Sequence, residues 1–151
     1  MSLEILEGVG SVSISVLEKY AFVFADAVGL DEAGEPVNVL LAKVAFCGAA
    51  QGELQVAMPM DLAAEIAANV LGSEPSEVTP ALLNDAVGEL GNVLCGNLLK
   101  ALTSPDKIFD LQPPLVTAAN SADWQTLVAS PQTLALDCDG QVALVQFNFK
   151  G

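Results

Sequence analysis

Glu89 and Asn92, a carboxylate and a carboxamide, lie three residues apart in a segment whose apolar residues repeat with helical spacing. Side chains at positions i and i+3 of a helix lie one turn apart and point the same way. Asp85 and Gly96 fall on the same side, so the four residues form a narrow strip at spacings of four, three and four. By spacing alone, a Glu and an Asn on an exposed helix face are usually solvated surface, so the strip is only a candidate site.

The composition limits the chemistry that such a strip can perform. The 151 residues include 19 acidic and 5 basic side chains, a formal net charge of −14, and neither histidine nor arginine. Without histidine there is no Ser-His-Asp or Cys-His nucleophile pair and no imidazole metal ligand. Five scattered lysines cannot form the cationic stripe that nucleic-acid binding requires. The sequence therefore predicts no nucleic-acid partner and no metal site.

Length, hydropathy and cysteine usage predict a single domain over 1–151 in the cytoplasm. Hydrophobic residues make up 52% of the chain, enough for a large core. No uncharged apolar run approaches the roughly 18 residues that span a bilayer, and the N-terminus lacks the basic start of a secretory signal. Cys47, Cys95 and Cys138 are odd in number and widely spaced, which is typical of reduced, largely buried thiols.

A long helix is predicted to hold the strip. Thr79 and Pro80 form its start, as N-cap and first helical residue, and it runs to about Thr103. With Leu90 at the centre of the buried side, the following residues fall within about 80° of it: Leu83, Ala86, Val87, Leu94, Leu98 and Ala101.

Three glycines, Gly88, Gly91 and Gly96, interrupt this helix near the strip. Each costs roughly 1 kcal/mol relative to alanine in a helix interior, so a stable helix has no local reason to carry them. We expect another backbone, from the sheet or from a partner, to approach closely there. Gly88 and Gly96 therefore join Asp85 as candidate partner-binding residues.

Two further helices are predicted before the long one. Apolar residues at steps of three and four predict a helix over 11–29, ended by Gly29. Serine alternates with valine and isoleucine over 11–16, so a short strand is the alternative for the first turns of this helix. Pro59 opens a second helix that Gly72 ends, with Glu65 and Asn69 on its solvated surface.

The remaining segments read as strands. Residues 37–47 and 51–58 form a predicted hairpin, and Asp139-Gly140 is the turn of a second one. The other predicted strands cover 109–118, 124–129, 133–138 and 141–149. The predicted fold class is α+β, an antiparallel sheet of five or six strands with about three helices packed on it.

Several of these segments together resemble the CheX branch of the CheC/CheX/FliY chemotaxis phosphatases. They are the glycine-containing stretch 48–52, the sequence Met58-Pro59-Met60, and E-L-G-N-V-L-C-G-N over 89–97. That family shares a glycine-containing hairpin, a proline-started helix and then a helix bearing E-L-x-N-x-x-x-G-N. The proline-marked strand 112–116 also matches, and the resemblance covers 37–117 well.

The resemblance implies dephosphorylation of the aspartyl phosphate on a CheY-type response regulator. In the family, the Glu engages the regulator's conserved lysine and the Asn orients the attacking water; Glu89 and Asn92 occupy the matching positions. The chain would need no cofactor of its own, because the regulator supplies Mg²⁺. The resemblance also implies a homodimer formed through sheet edges. Dual-motif members carry a second E-x-x-N, whereas here Glu18 is followed by Ala21, which is the one-site CheX pattern.

Two other interpretations stay open. One is a non-catalytic CheX-like module that binds a response regulator or a flagellar-switch component without turnover. The other is an acidic structural domain whose helix strip is ordinary surface. The sequence does not identify the regulator or the pathway.

Overall fold

The computed structural model, which describes residues 3–150, is built around one antiparallel sheet. Its strands are β1 (Ala25–Val28), β2 (Val39–Gly48), β3 (Gln51–Pro59), β4 (Phe109–Leu111), β5 (Leu115–Ala119), β6 (Thr133–Cys138) and β7 (Gln141–Lys150). The helices are α1 (Leu3–Ala21), α2 (Met60–Leu71), α3 (Pro80–Leu102) and α4 (Ser121–Val128). The strand order is β1-β6-β7-β3-β2, and both β4 and β5 pair with β2 at the far edge. The two ends of the predicted 1–151 domain lie outside the described residues.

Helices cover both faces of the sheet. Because side chains alternate along a strand, Leu40 and Val44 of β2 belong to the main core, which α1, α2 and α3 cover, whereas Leu41 belongs to a second, smaller core on the opposite face. Trp124 of α4 fills that second core and donates its indole N–H to the carbonyl of Gly34 at 3.0 Å. The predicted α+β class is confirmed, and the described residues form seven strand segments and a fourth α-helix.

Local turn and capping signals placed several elements correctly. The β2–β3 hairpin, the ends of α2 and α3, and the β6–β7 hairpin all lie where the sequence predicts them. Asp139 and Gly140 both have positive φ, 54° and 89°, as a tight two-residue hairpin turn requires. Pro59 serves as the N-cap of α2 rather than its first helical residue.

The predicted helix over 11–29 is wrong at both ends. α1 begins at Leu3 and ends at Ala21, and Phe22 turns the chain with a φ of +56°. Ala25–Val28 then forms β1, whose only partner in the described sheet is β6. The apolar period continues past Ala21 because Phe24 and Val28 happen to fit it, and pairing with a strand about 110 residues away overrides that local pattern.

Two strand predictions near the C-terminal end also need correction. Residues 124–128 lie in α4, and Ala129 is its C-cap; the helix begins with a capping box between Asn120 and Asp123. Apolar spacing alone could not distinguish this short helix from a strand. The predicted strand 109–118 is divided into β4 and β5 because Pro113 and Pro114 have no N–H to donate to a ladder.

The prediction that Asn69 lies on a solvated surface is wrong. Asn69 is half-buried, and its side-chain amide donates to the carbonyl of Ala21 at 3.0 Å, which caps the end of α1. Glu65 is half-buried too. Both side chains therefore belong to the junction of α2 with its neighbours.

All three cysteines are free thiols, with Cys95 and Cys138 buried and Cys47 half-buried. Burial raises the pKa of both buried thiols to about 12, so they stay protonated at neutral pH. Within residues 3–150, no helix combines the length and the apolar character that a membrane span needs.

Candidate functional site

The helix α3 places the strip on its outward side. The hydroxyl oxygen of Thr79 accepts the N–H of Leu82 at 3.2 Å, and Pro80 is the first helical residue, so the predicted start is confirmed. Leu90, Leu94 and Leu98 are buried on the sheet as predicted. Ala101, also predicted on the buried side, is exposed.

The strip forms one side of an open groove between α3 and β5, which we call the α3–β5 groove. Its volume is about 540 Å³. The α3 side comprises Asn84, Asp85, Gly88, Glu89 and Asn92, and the other side is Pro114, Leu115 and Val116. The structure therefore brings Asp85 and Gly88 together with Glu89 and Asn92.

Gly88 allows the two walls to stand close together. A Cβ at this position would lie 3.1 Å from Cγ of Pro114 and 3.5 Å from Cγ2 of Val116. Gly91, on the sheet side, is packed similarly, since a Cβ there would lie 3.1 Å from Cγ2 of Val44. Close approach was expected at these glycines, but the groups that approach are side chains rather than another backbone.

Gly96 is separate from the groove. It lies one turn beyond Asn92 and lines a different cavity of about 230 Å³, together with Lys100 and Phe109. Apart from its two chain neighbours and the backbone of its own helix, no atom lies within 4 Å of the point where its Cβ would stand. Packing among the described residues thus gives no reason for this glycine.

Asn92 has an unusual environment for a surface amide. The side chain is half-buried, and its Oδ1 atom is buried with no hydrogen-bond partner among the described residues. A buried acceptor without a partner typically costs about 1–3 kcal/mol. The carboxamide can regain that energy only by meeting a donor, such as a water molecule, that reaches the groove.

Glu89 is exposed and forms no ion pair with the described lysines. Tyr20 of α1 lies within range of this charge, because its pKa is raised mainly by burial and secondarily by the negative charge of Glu89. The carboxylate therefore points its charge at open solvent, beside a half-buried phenol. Such a carboxylate is available to a cation from a partner molecule.

Two parts of the surroundings of Glu89 and Asn92 could not be located from the sequence. The Pro114–Val116 wall was recognised only as a proline-marked strand, and its contact with α3 depends on the pairing of β5 with β2. Tyr20 carried no local signal, because its position beside Glu89 results from the packing of α1 on α3. In the part of the chain that the structure describes, no three Asp, Glu, Cys or His side chains are grouped so that they could hold a metal ion.

A family model matches more than half of the chain. The model of the family described as chemotaxis phosphatase CheX matches residues 40–139, which include the whole α3–β5 groove. No curated protein matches the chain.

Solved structures share the fold at low sequence identity. The CheX protein from Desulfovibrio desulfuricans is 18% identical, covers 98% of this chain and 100% of its own, and has a TM-score of 0.70. CheX from Vibrio vulnificus is 18% identical, with 97% of each chain covered and a TM-score of 0.72. CheX from Borrelia burgdorferi, solved in a CheX-CheY-BeF3-Mg²⁺ complex, is 17% identical over 99% and 100% of the two chains, with a TM-score of 0.70.

Proposed function

Because this chain belongs to the CheX family of chemotaxis phosphatases, we propose that it hydrolyses the aspartyl phosphate of a CheY-type response regulator. One observation supports this most directly: Glu89 and Asn92 share one open groove, the first with an unpaired charge and the second with an unpaired amide oxygen. The solved Borrelia burgdorferi protein, which has the same fold, was captured with CheY.

The proposed reaction suits a chain without histidine or arginine. An acyl phosphate is already an activated group, so the enzyme chiefly has to hold water in line with the phosphorus. In this proposal Glu89 binds a lysine of the regulator, and Asn92 orients the attacking water. Neither role requires a base with a pKa near 7.

Mg²⁺ belongs to the regulator in this proposal. The groove offers only two carboxylates of this chain, Asp85 and Glu89, one helical turn apart. Mg²⁺ prefers six oxygen ligands in near-octahedral geometry, and two groups on one helix face do not provide them. The residues present therefore do not fit a metal site of the chain's own, and the ion would arrive with the phosphorylated regulator.

A free sheet edge is available for the proposed homodimer. Among the described strands, β1 pairs only with β6, and β5 pairs only with β2, so each has one unpaired edge. Light scattering coupled to size exclusion should report a mass of two chains. The proposed location is the cytoplasm, where response regulators work.

The turnover assay uses phosphorylated CheY-type regulators with and without this chain. We expect the chain, in substoichiometric amounts, to accelerate phosphate loss from at least one regulator, and chelation of Mg²⁺ to stop that acceleration. Calorimetry of the isolated chain should show no tight Mg²⁺ binding. A regulator that binds but keeps its phosphate would instead support the non-catalytic binding module, and tight Mg²⁺ uptake by the chain alone would contradict the assignment of the ion.

A further inference from the structure

Two phenylalanines stand out in solvent between α1 and β1. Phe22 and Phe24 are 66% and 69% exposed, whereas Val23 between them is only 2% exposed. Phe22 also has a φ of +56°, a left-handed conformation that is unfavourable for a bulky side chain. We call residues 22–24 the Phe turn.

The Phe turn is held firmly by its neighbours. The N–H of Val23 donates to the carbonyl of Leu17 at 3.0 Å, and the side chain of Val23 is anchored in the main core. The preceding residue, Ala21, is fully buried and accepts the Asn69 hydrogen bond described above. These contacts hold the backbone of the turn in the unfavourable φ, so the two rings project from a fixed backbone rather than from a loose loop.

The Phe turn lies at the same end of the helix pair as the α3–β5 groove. A Cβ on Gly8 of α1 would touch Leu102 of α3, so the start of α1 is beside the end of α3. Tyr20, near the end of α1, interacts electrostatically with Glu89. The two helices are therefore antiparallel, and the Phe turn begins two residues after the tyrosine that neighbours Glu89.

We infer that the Phe turn is a second docking contact for the response regulator, and this inference rests on the proposed function. Rigid exposed aromatic side chains close to a binding site are the usual anchors of protein interfaces, because little conformational entropy remains to be lost on binding. The turn leads into β1, where Asp26 lies directly opposite Asp137 of β6 without an ion pair from any described lysine. The regulator surface that fits is therefore an apolar patch with a basic rim.

The test substitutes both rings and measures docking separately from chemistry. The variant Phe22→Asn/Phe24→Asn removes the apolar contact, and Asn tolerates positive φ better than Phe does. On a regulator that the wild-type chain dephosphorylates, we expect KM to rise by about tenfold or more while kcat at saturation stays near wild type. The midpoint of thermal unfolding should be unchanged or higher, because a strained residue has been relieved.

The matched control is Val37→Asn/Ile108→Asn. These two apolar side chains are 90% and 79% exposed but lie outside both the α3–β5 groove and the Phe turn, so KM should not change. An unchanged KM in the Phe turn variant, with an active wild-type chain, would overturn this inference and leave the proposed function standing. An equal rise of KM in both variants would also overturn it, since the effect would then be unspecific. If the wild-type chain turns over no regulator, the proposed function fails first.

Discussion

The helices α1 and α3 pack side by side on one face of the sheet, and each exposes a glutamate, yet their surroundings differ. Three residues after Glu18 on α1 comes Ala21, which is fully buried and whose carbonyl accepts a hydrogen bond from Asn69. Three residues after Glu89 on α3 comes Asn92, half-buried and without a partner for its amide oxygen. Ala21 on α1 is therefore used in packing, whereas Asn92 on α3 has an amide oxygen that is free to accept a hydrogen bond from a ligand.

The two helices also differ in the strands that lie beside them. α1 packs over β1 and β6, while α3 stands beside β5 with Gly88 facing Pro114 across an open groove. A carboxylate on a helix becomes a candidate site only where a second wall leaves room for a ligand and restricts its approach. Substitutions in the strip on α3 should therefore change activity or binding, whereas similar substitutions on α1 should not.

Asn92→Ala should have the largest effect. If the amide orients water mainly in the transition state, its loss should lower turnover of the phosphorylated regulator by about a hundredfold or more and leave binding near normal. The measurements are single-turnover phosphate release and a binding titration with the same regulator. An unchanged rate would remove Asn92 from the mechanism and make α3 equivalent to α1.

Glu89→Lys should weaken docking as well as turnover. If Glu89 meets a lysine of the regulator, the reversal places two cations face to face and costs several kcal/mol, roughly a hundredfold or more in Kd. The control is Glu7→Lys, an equal charge reversal on an exposed residue at the far end of α1, for which we expect a Kd close to wild type. Equal binding by the two variants would contradict the pairing.

The stability of the fold at high pH should depend on its two buried thiols. α3 buries the thiol of Cys95 and β6 that of Cys138, whereas α1 buries the hydroxyl of Ser13. Burial raises the pKa of both thiols from 9.0 to about 12, so the folded state keeps protons that the unfolded state loses. Their stabilisation is complete below pH 9 and disappears between pH 9 and 12 as pH rises.

At pH 10.5, each thiol should lower the free energy of unfolding by about 2 kcal/mol, at roughly 1.4 kcal/mol per pKa unit. Denaturant titrations at pH 8 and pH 10.5 measure the loss. The variant Cys95→Ala/Cys138→Ala should show a smaller loss than wild type, since the two proteins differ only at these two positions. Identical losses in the two proteins would mean that these thiols do not cause the decrease in stability at high pH.

Glycine substitutions on α3 should give the smallest effects, and of opposite sign. Gly96→Ala should raise the free energy of unfolding by about 1 kcal/mol, because alanine is the better helix former and its Cβ meets no atom. Gly91→Leu should lower it by about 1–3 kcal/mol, because the side chain must enter the contact with Val44. Thermal and denaturant unfolding measure both; destabilisation by Gly96→Ala would indicate a role that the surrounding atoms do not explain.

Local signals predicted much of the fold and part of the candidate site. Thr79 and Pro80 determine where α3 begins, and the spacing of Glu89 and Asn92 places them on one face of that helix. Asp139-Gly140 determines a tight turn through its tolerance of positive φ. These features depend on interactions within a few residues, which the sequence displays directly.

The tertiary structure decided whatever depends on contacts between distant segments. β1 exists because Ala25–Val28 pairs with β6, although its apolar spacing continues that of α1. The wall formed by Pro114–Val116 faces Gly88 only because β5 pairs with β2, and Tyr20 reaches Glu89 only because α1 lies antiparallel to α3. Periodicity reports which side of an element is apolar, but the identity of the neighbour that covers it is settled by packing across the whole chain, which no local window contains.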